Sequence, residues 1–322
     1  MEVRTRFLIV SDTHGDSFGV HKGQKADVAI HCGDLTEESK ISELRTTLRF
    51  LAELDAPLKL VIPGNHDFTL DVPTFRRRVA EAAQPLEPEL VSKEFGDYGE
   101  ARSLFEETRK DGIIFLDEGN HEFTLANGAQ LKIYASPFTP SKGGWGFQYA
   151  PETGHQFSID QGVDVVITHG PPLGVMDLTD SKVRGGCPDL FGAVARARPR
   201  MHCFGHVHEG WGAKLVTWRD KVSEKPSHFA DIDNSRSVVV EKLTNILPSR
   251  FDDAESSLEK ELKARAYLRD GGAMIRHCKG DEHALQVGHQ TLFVNAAIEG
   301  THDALPYQPA WIVDLDLRRS GN

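Results

Sequence analysis

A chain of 322 residues, 39% of them hydrophobic, is long enough to bury a substantial core as one large domain or two small ones. Its 37 Lys and Arg against 48 Asp and Glu give a formal charge of −11, which argues against general affinity for nucleic-acid backbones or anionic membranes. No apolar stretch approaches the ~20 residues needed to span a bilayer, and no secretion-signal pattern precedes the first apolar run, so a soluble cytoplasmic protein is expected.

Apolar runs at 6–10, 28–31, 58–62, 113–116, 131–134, 163–168 and 201–204 are rich in Val, Ile and Leu without clean alternation, the pattern of strands buried on both faces. Between the second and third, residues 41–54 place Leu44, Leu48, Leu51 and Leu54 at helical spacing, which predicts a β-β-α-β start to an α/β protein. Residues 73–110 read as mostly helical. The highly charged stretch 219–288 reads as a partly irregular insertion, with a helix near 254–268, in a single domain covering 1–322. Strand character returns at 291–295, and 311–317 alternates apolar with charged residues, predicting a final strand in an exposed sheet. Cys32, Cys187, Cys203 and Cys278 have no close pairing and read as buried thiols in a reducing compartment.

Several of these runs end in loops that carry potential metal ligands: Ser11-Asp12-Thr13-His14-Gly15, Gly33-Asp34-Leu35, Gly64-Asn65-His66-Asp67, Thr168-His169-Gly170 and Gly205-His206-Val207-His208. Loops beyond the carboxyl ends of strands in an α/β sheet gather on one rim, so residues distant in sequence can share a crevice. Side chains two positions apart, as in Asp12/His14 and His206/His208, leave an extended segment on the same side. Mixed imidazole and carboxylate donors without thiolates suit Mn, Fe, Zn or Ni better than Mg or Ca. Asp34 is the natural bridge, since a carboxylate offers an oxygen to each of two cations. Such a pair, roughly 3.5–4 Å apart, lowers the pKa of a bridging water towards about 7 and clamps an in-line displacement at phosphorus.

Together these words resemble the calcineurin-like metallophosphoesterase superfamily, with its D-x-H, G-D, G-N-H-[DE], H and G-H-x-H signature. Ala135-Ser136-Pro137-Phe138-Thr139-Pro140, Trp145-Gly146-Phe147, Gly186-Cys187 and Gly205 to Gly210 further resemble the metallophosphoesterase-domain-containing subfamily related to class III cyclic nucleotide phosphodiesterases. The resemblance implies a four-layer αββα sandwich of two facing mixed sheets with a dinuclear site at one rim. It implies one cation on Asp12, His14, Asp34 and His208, the other on Asp34, Asn65, His169 and His206, and His66 as the catalytic histidine. The implied function is hydrolysis of a small phosphodiester, with cyclic nucleotides among the candidates. A phosphomonoesterase and a slow nucleotide-binding scaffold are the alternatives, and the oligomeric state stays open. Where serine/threonine phosphatases carry G-D-x-V-D-R-G, this chain has Gly33-Asp34-Leu35-Thr36-Glu37, which disfavours that branch. His206, which some members of the subfamily lack, is present and implies catalytic competence.

Other polar residues are weighed against structural roles. His31 and His202, inside apolar runs, read as hydrogen-bonded core histidines. Arg76-Arg77-Arg78 reads as a solvated helix face. His277, Cys278, Asp281, Glu282, His283 and His289 fit no zinc spacing. Asp67 either orients His66 or bonds its own turn, and Asn295 either serves the metal rim or holds a strand end.

Overall fold

The computed structural model describes residues 1–16, 24–302 and 305–321. Alternation along the strand Glu2–Val10 divides the core. Phe7 and Ile9 pack into the space between two sheets, while Leu8 and Val10 pack outward beneath helices, because successive side chains leave a strand on opposite faces.

The first sheet runs, in spatial order, Ala273–Arg276, Trp311–Arg318, Glu2–Val10, Val28–His31, Leu58–Val61 and Ile113–Phe115. All its pairings are parallel except that of Glu2–Val10 with Trp311–Arg318. The second runs Val238–Lys242, Gly212–Thr217, Gln290–Asn295, Met201–Phe204, Val165–Thr168, Gln130–Ser136 and Gly119–Thr124, with a parallel centre and antiparallel flanks. Between them lies the central core, in which Ile30, Leu60, Ile133, Ile167, Met201 and Val294 are buried.

Helices cover both outer faces. Ile41–Glu53 starts where the Glu43 carboxylate accepts the Lys40 N–H at 3.0 Å, and buries Leu44, Leu48 and Leu51 on the first sheet beside helix Glu100–Glu107. On the second sheet, Pro188–Ala197 begins with proline, whose missing N–H costs nothing in a first turn, and buries Leu190, Phe191 and Val194. The result is the four-layer αββα sandwich. Residues 73–110 hold the three helices Val72–Ala80, Pro88–Phe95 and Glu100–Glu107.

The expectation of an exposed final strand is corrected. Trp311–Arg318 is interior, and Trp311 to Leu315 are all buried. Its charged residues survive there because Asp314 is paired: Arg6 donates to both its oxygens at 2.7 and 2.9 Å. Alternation marked polar residues that are neutralised rather than solvated. Strands 119–124, 212–217, 238–242 and 273–276 carry no clear signal in the sequence and were not anticipated. Residues 219–288 supply an edge strand to each sheet, Val238–Lys242 and Ala273–Arg276, with helix Ala254–Arg269 between them in sequence. All four cysteines are free and buried. Among the described residues, no helix is long and apolar enough to cross a membrane.

Candidate metal centre

The candidate ligands follow the carboxyl ends of Glu2–Val10, Val28–His31 and Leu58–Val61 in one sheet and of Val165–Thr168 and Met201–Phe204 in the other. Backbone bonds lock these loops together. The Asp12 N–H donates to the Gly33 carbonyl at 2.9 Å, and those of Thr13 and His14 donate to the Asp34 carbonyl at 3.0 and 3.1 Å. Asp12, His14, Asp34 and His206 have φ of 54°, 48°, 52° and 66°. Left-handed backbone costs a non-glycine residue of order 1–3 kcal/mol, so four such residues in one site mark a constellation held by its surroundings.

Two glycines of the motifs are there for space. A Cβ on Gly64 would strike the Asp34 N and Oδ1 and lie 2.7 Å from His169 Cε1, and one on Gly205 would strike the Asp12 carboxylate.

Among the described residues the side chains form three neighbouring groups, two of them built from expected ligands. In each of Asp12, His14, His208 and Asp34, His169, His206, and also in His14, Glu37, His66, potential donor atoms lie within 4.8 Å of one another. His208 Nε2 is 3.3 Å from Asp12 Oδ1, and His169 Nε2 is 3.3 Å from Asp34 Oδ2 and 3.0 Å from Asn65 Oδ1. The seven residues singled out in the sequence are thus distributed as two sets. Both ring nitrogens of His14 are buried and make no aligned hydrogen bond, although carboxylate oxygens stand 2.8 Å from Nδ1 and 3.1 Å from Nε2. An imidazole set among carboxylates without aligned hydrogen bonds is a donor that a cation could engage.

Tautomers follow from the acceptors. Since a carbonyl only accepts, His169 Nδ1 carries a proton to the Cys32 carbonyl at 3.0 Å, which leaves Nε2 to face Asp34 and Asn65. Burial alone would lower His169, but Asp34 and Asp12 outweigh it and push it up to about 9. His208, likewise buried, is pushed up to about 9 by Asp12. Burial would raise the two carboxylates; facing imidazoles instead hold Asp12 and Asp34 below the usual range. His206 is lowered to about 4 by burial and by His169. Carboxylates and imidazoles therefore neutralise one another, and a cation entering either group competes with protons.

His66 stands beside the first group, its ring 4.8 Å from that of His14, and its Nδ1 donates to the Glu37 carbonyl at 2.6 Å. Asp67 has a role between its two expected ones. It makes no bond to His66; its fully buried carboxylate accepts from the N–H groups of Leu35 and Thr36 at 3.0 Å and of Gly64 at 2.7 Å, and from Thr36 Oγ1 at 2.7 Å. It joins the Asp34 loop to the Asn65 loop. Asn295 Nδ2 donates to the Val207 carbonyl at 2.8 Å, bracing the backbone between His206 and His208.

His31 and His202 are buried and hydrogen-bonded to Thr13 and Thr168 at 2.9 and 2.8 Å. His277 Nδ1 donates to the His283 carbonyl, and Arg4 Nε to Cys278 Sγ at 3.3 Å, so these residues are engaged separately. Arg78 corrects the solvated-face expectation, because its guanidinium lies 4.6 Å from the centre of the Trp145 ring and 4.5 Å from that of Phe68. Two carboxylates escaped sequence reasoning. Glu37 Oε2 is 2.8 Å from His14 Nδ1, and Glu299 Oε2 is 3.1 Å from His14 Nε2 and 3.4 Å from His208 Nδ1. Glu37 stood within the altered G-D segment and was readable there; nothing around Glu299 signalled it.

The chain matches the calcineurin-like phosphoesterase family over residues 5–210. It belongs to that family. Dinuclear metal dependence is a property of calcineurin-like phosphoesterases, and all seven candidate ligands fall inside the matched span. Human Metallophosphoesterase domain-containing protein 1 is 35% identical over 221 residues, 65% of this chain and 62% of the human one. UPF0046 protein T07D4.2 of Caenorhabditis elegans is 33% identical over 217 residues, 64% of this chain and 52% of the worm one. The chain thus spans less than two thirds of either relative. A solved purple acid phosphatase, PPD1 from yellow lupin seeds, aligns with a TM-score of 0.34 at 12% identity, covering 69% of this chain and 40% of that one.

Proposed function

We propose that this chain is a dinuclear metal-dependent hydrolase of small phosphodiesters, nucleotides and cyclic nucleotides among them. The observation that carries the reading is the pair of His/Asp groups with His66 at their edge. Asp12, His14 and His208 would hold one cation, Asn65, His169 and His206 the other, and Asp34 would bridge them. Imidazole and carboxylate donors favour Mn, Fe, Zn or Ni. Bound there, the cations would supply Lewis acidity and an activated water.

The protein's own part is positional. Asp67 and the Asp34 carbonyl fix the loops, the Cys32 carbonyl aims His169, and Glu37 and Glu299 flank His14. With Nδ1 committed to Glu37, His66 can hold a proton only at Nε2 for delivery to a leaving oxygen, a role worth ~10²–10⁴-fold. The same reading takes residues 1–322 as one phosphoesterase unit with 219–288 inserted, and four free buried cysteines fit a cytoplasmic setting.

The test is turnover of bis-p-nitrophenyl phosphate and p-nitrophenyl phosphate after Mn loading. Diester turnover that vanishes in Asp34→Ala and falls at least ~10²-fold in His66→Ala supports the proposal. Preference for the monoester overturns the diesterase assignment, and metal uptake without turnover of either ester overturns the hydrolase.

A further inference from the structure

Trp145 belongs to a loop docked directly on the Asn65–His66 segment. The Gly146 N–H donates to the Asn65 carbonyl at 3.0 Å, the Phe147 N–H to Asp71 Oδ2 at 2.9 Å, and a Cβ on Gly146 would come within 2.9 Å of the Phe68 Cα. The indole lies against His66, ring centres 4.6 Å apart and planes 30° from parallel. Arg78 stands over the same indole at 4.6 Å, held by the Gly144 carbonyl at 3.3 Å and by the Phe68 ring. The imidazole and the guanidinium thus both crowd the indole, each 4.6 Å from its centre, which leaves less of the ring open to a nucleobase.

We infer that Trp145, backed by Arg78, is a positioning residue that sets the plane of the His66 ring, and is not a seat for the substrate. The imidazole is held at two points: Nδ1 bonds the Glu37 carbonyl and the ring face rests on the indole. The cation–π contact with Arg78 restrains the indole in turn, and partial desolvation strengthens it. Trimming Trp145 leaves His66 its hydrogen bond but frees it to rotate about that bond. A reacting group displaced by about 1 Å costs roughly 10²-fold in rate.

The inference rests on the catalytic role proposed for His66, and the experiment separates the two. In Mn-loaded protein, Trp145→Ala is expected to lower kcat roughly 10²-fold with KM unchanged, equally on bis-p-nitrophenyl phosphate and on a p-nitrophenyl ester of thymidine phosphate. Arg78→Ala is expected to lower kcat in the same sense, Arg78→Lys to restore part of it, and Trp145→Ala to add nothing to His66→Ala. In metal-free, histidine-labelled protein, the Nδ1–H of His66 is expected to exchange faster in Trp145→Ala and Arg78→Ala than in the parent. A rise in KM confined to the nucleotide ester would make Trp145 a stacking seat and overturn the inference. So would unchanged kcat and unchanged proton exchange in both variants. If His66→Ala itself leaves turnover intact, the catalytic role of His66 falls, while the exchange measurement still decides whether Trp145 positions it.

Discussion

The backbone N–H of His66 donates to Asp34 Oδ1 at 2.8 Å, so one carboxylate both faces the second histidine group and holds the loop that presents His66. Asp34→Asn keeps an oxygen for that N–H and loses the anion. The expected outcome is a protein whose thermal midpoint in chelator falls, because the buried His169 loses its facing anion, and whose cation content after Mn loading drops from about two per chain to below about one. Elemental analysis of desalted protein is the check, and full occupancy would refute the bridging role.

Asp67 makes a different prediction, because each of its oxygens receives two donors. In Asp67→Asn the amide nitrogen must confront two of them. Each stranded donor costs ~1–3 kcal/mol, so urea unfolding of the metal-free variant is expected to show that loss with an unchanged slope.

Gly64→Ala places a methyl against Asp34 and His169. Overpacking of this kind costs ~1–3 kcal/mol, and the displaced ligands should abolish cation uptake even where the protein still folds. Calorimetry with and without Mn distinguishes the two effects: the parent's midpoint rises on loading and the variant's does not.

His202 links stability to pH. Thr168 Oγ1 donates to the Gly170 carbonyl and so accepts from His202 Nε2–H, leaving Nδ1 buried without a partner. Burial lowers the folded pKa to about 3. The ordinary value in an unfolded chain is about 6.5, so between the two the unfolded chain binds the extra proton. The stabilisation is present above about pH 6.5 and is lost as pH falls towards 3, at up to ~1.4 kcal/mol per pH unit. Urea midpoints in chelator from pH 7 to 4 should therefore fall less steeply in His202→Asn than in the parent.

The candidate site was legible because its residues are written in short words at strand ends: Asp12, His14, Asp34, Asn65, His169, His206 and His208 each sit beside a glycine or within two residues of another candidate ligand. The parallel strands were legible for the same reason that they are buried, their unbroken Val and Ile content. What escaped was decided by partners far along the chain. Asp314 reads as solvated until Arg6 is seen to neutralise it across 308 positions. Arg78 reads as a surface cation until Trp145 is brought over it, and Glu299 reads as a loop acid until the fold sets it against His14 and His208. Gly212–Thr217 was missed because Lys214 interrupts a run that tertiary pairing completes.

The stretch 219–288 fastens both sheets at once, lying outside Gly212–Thr217 in one and outside Trp311–Arg318 in the other. Excising it as though it were a dispensable loop would bare the hydrogen-bonding rows of two strands now enclosed on both sides. Such rows recruit other chains. A shortened chain would consequently tend to polymerise, and engineers seeking a smaller version of this scaffold would do better to redesign the clasp than to remove it.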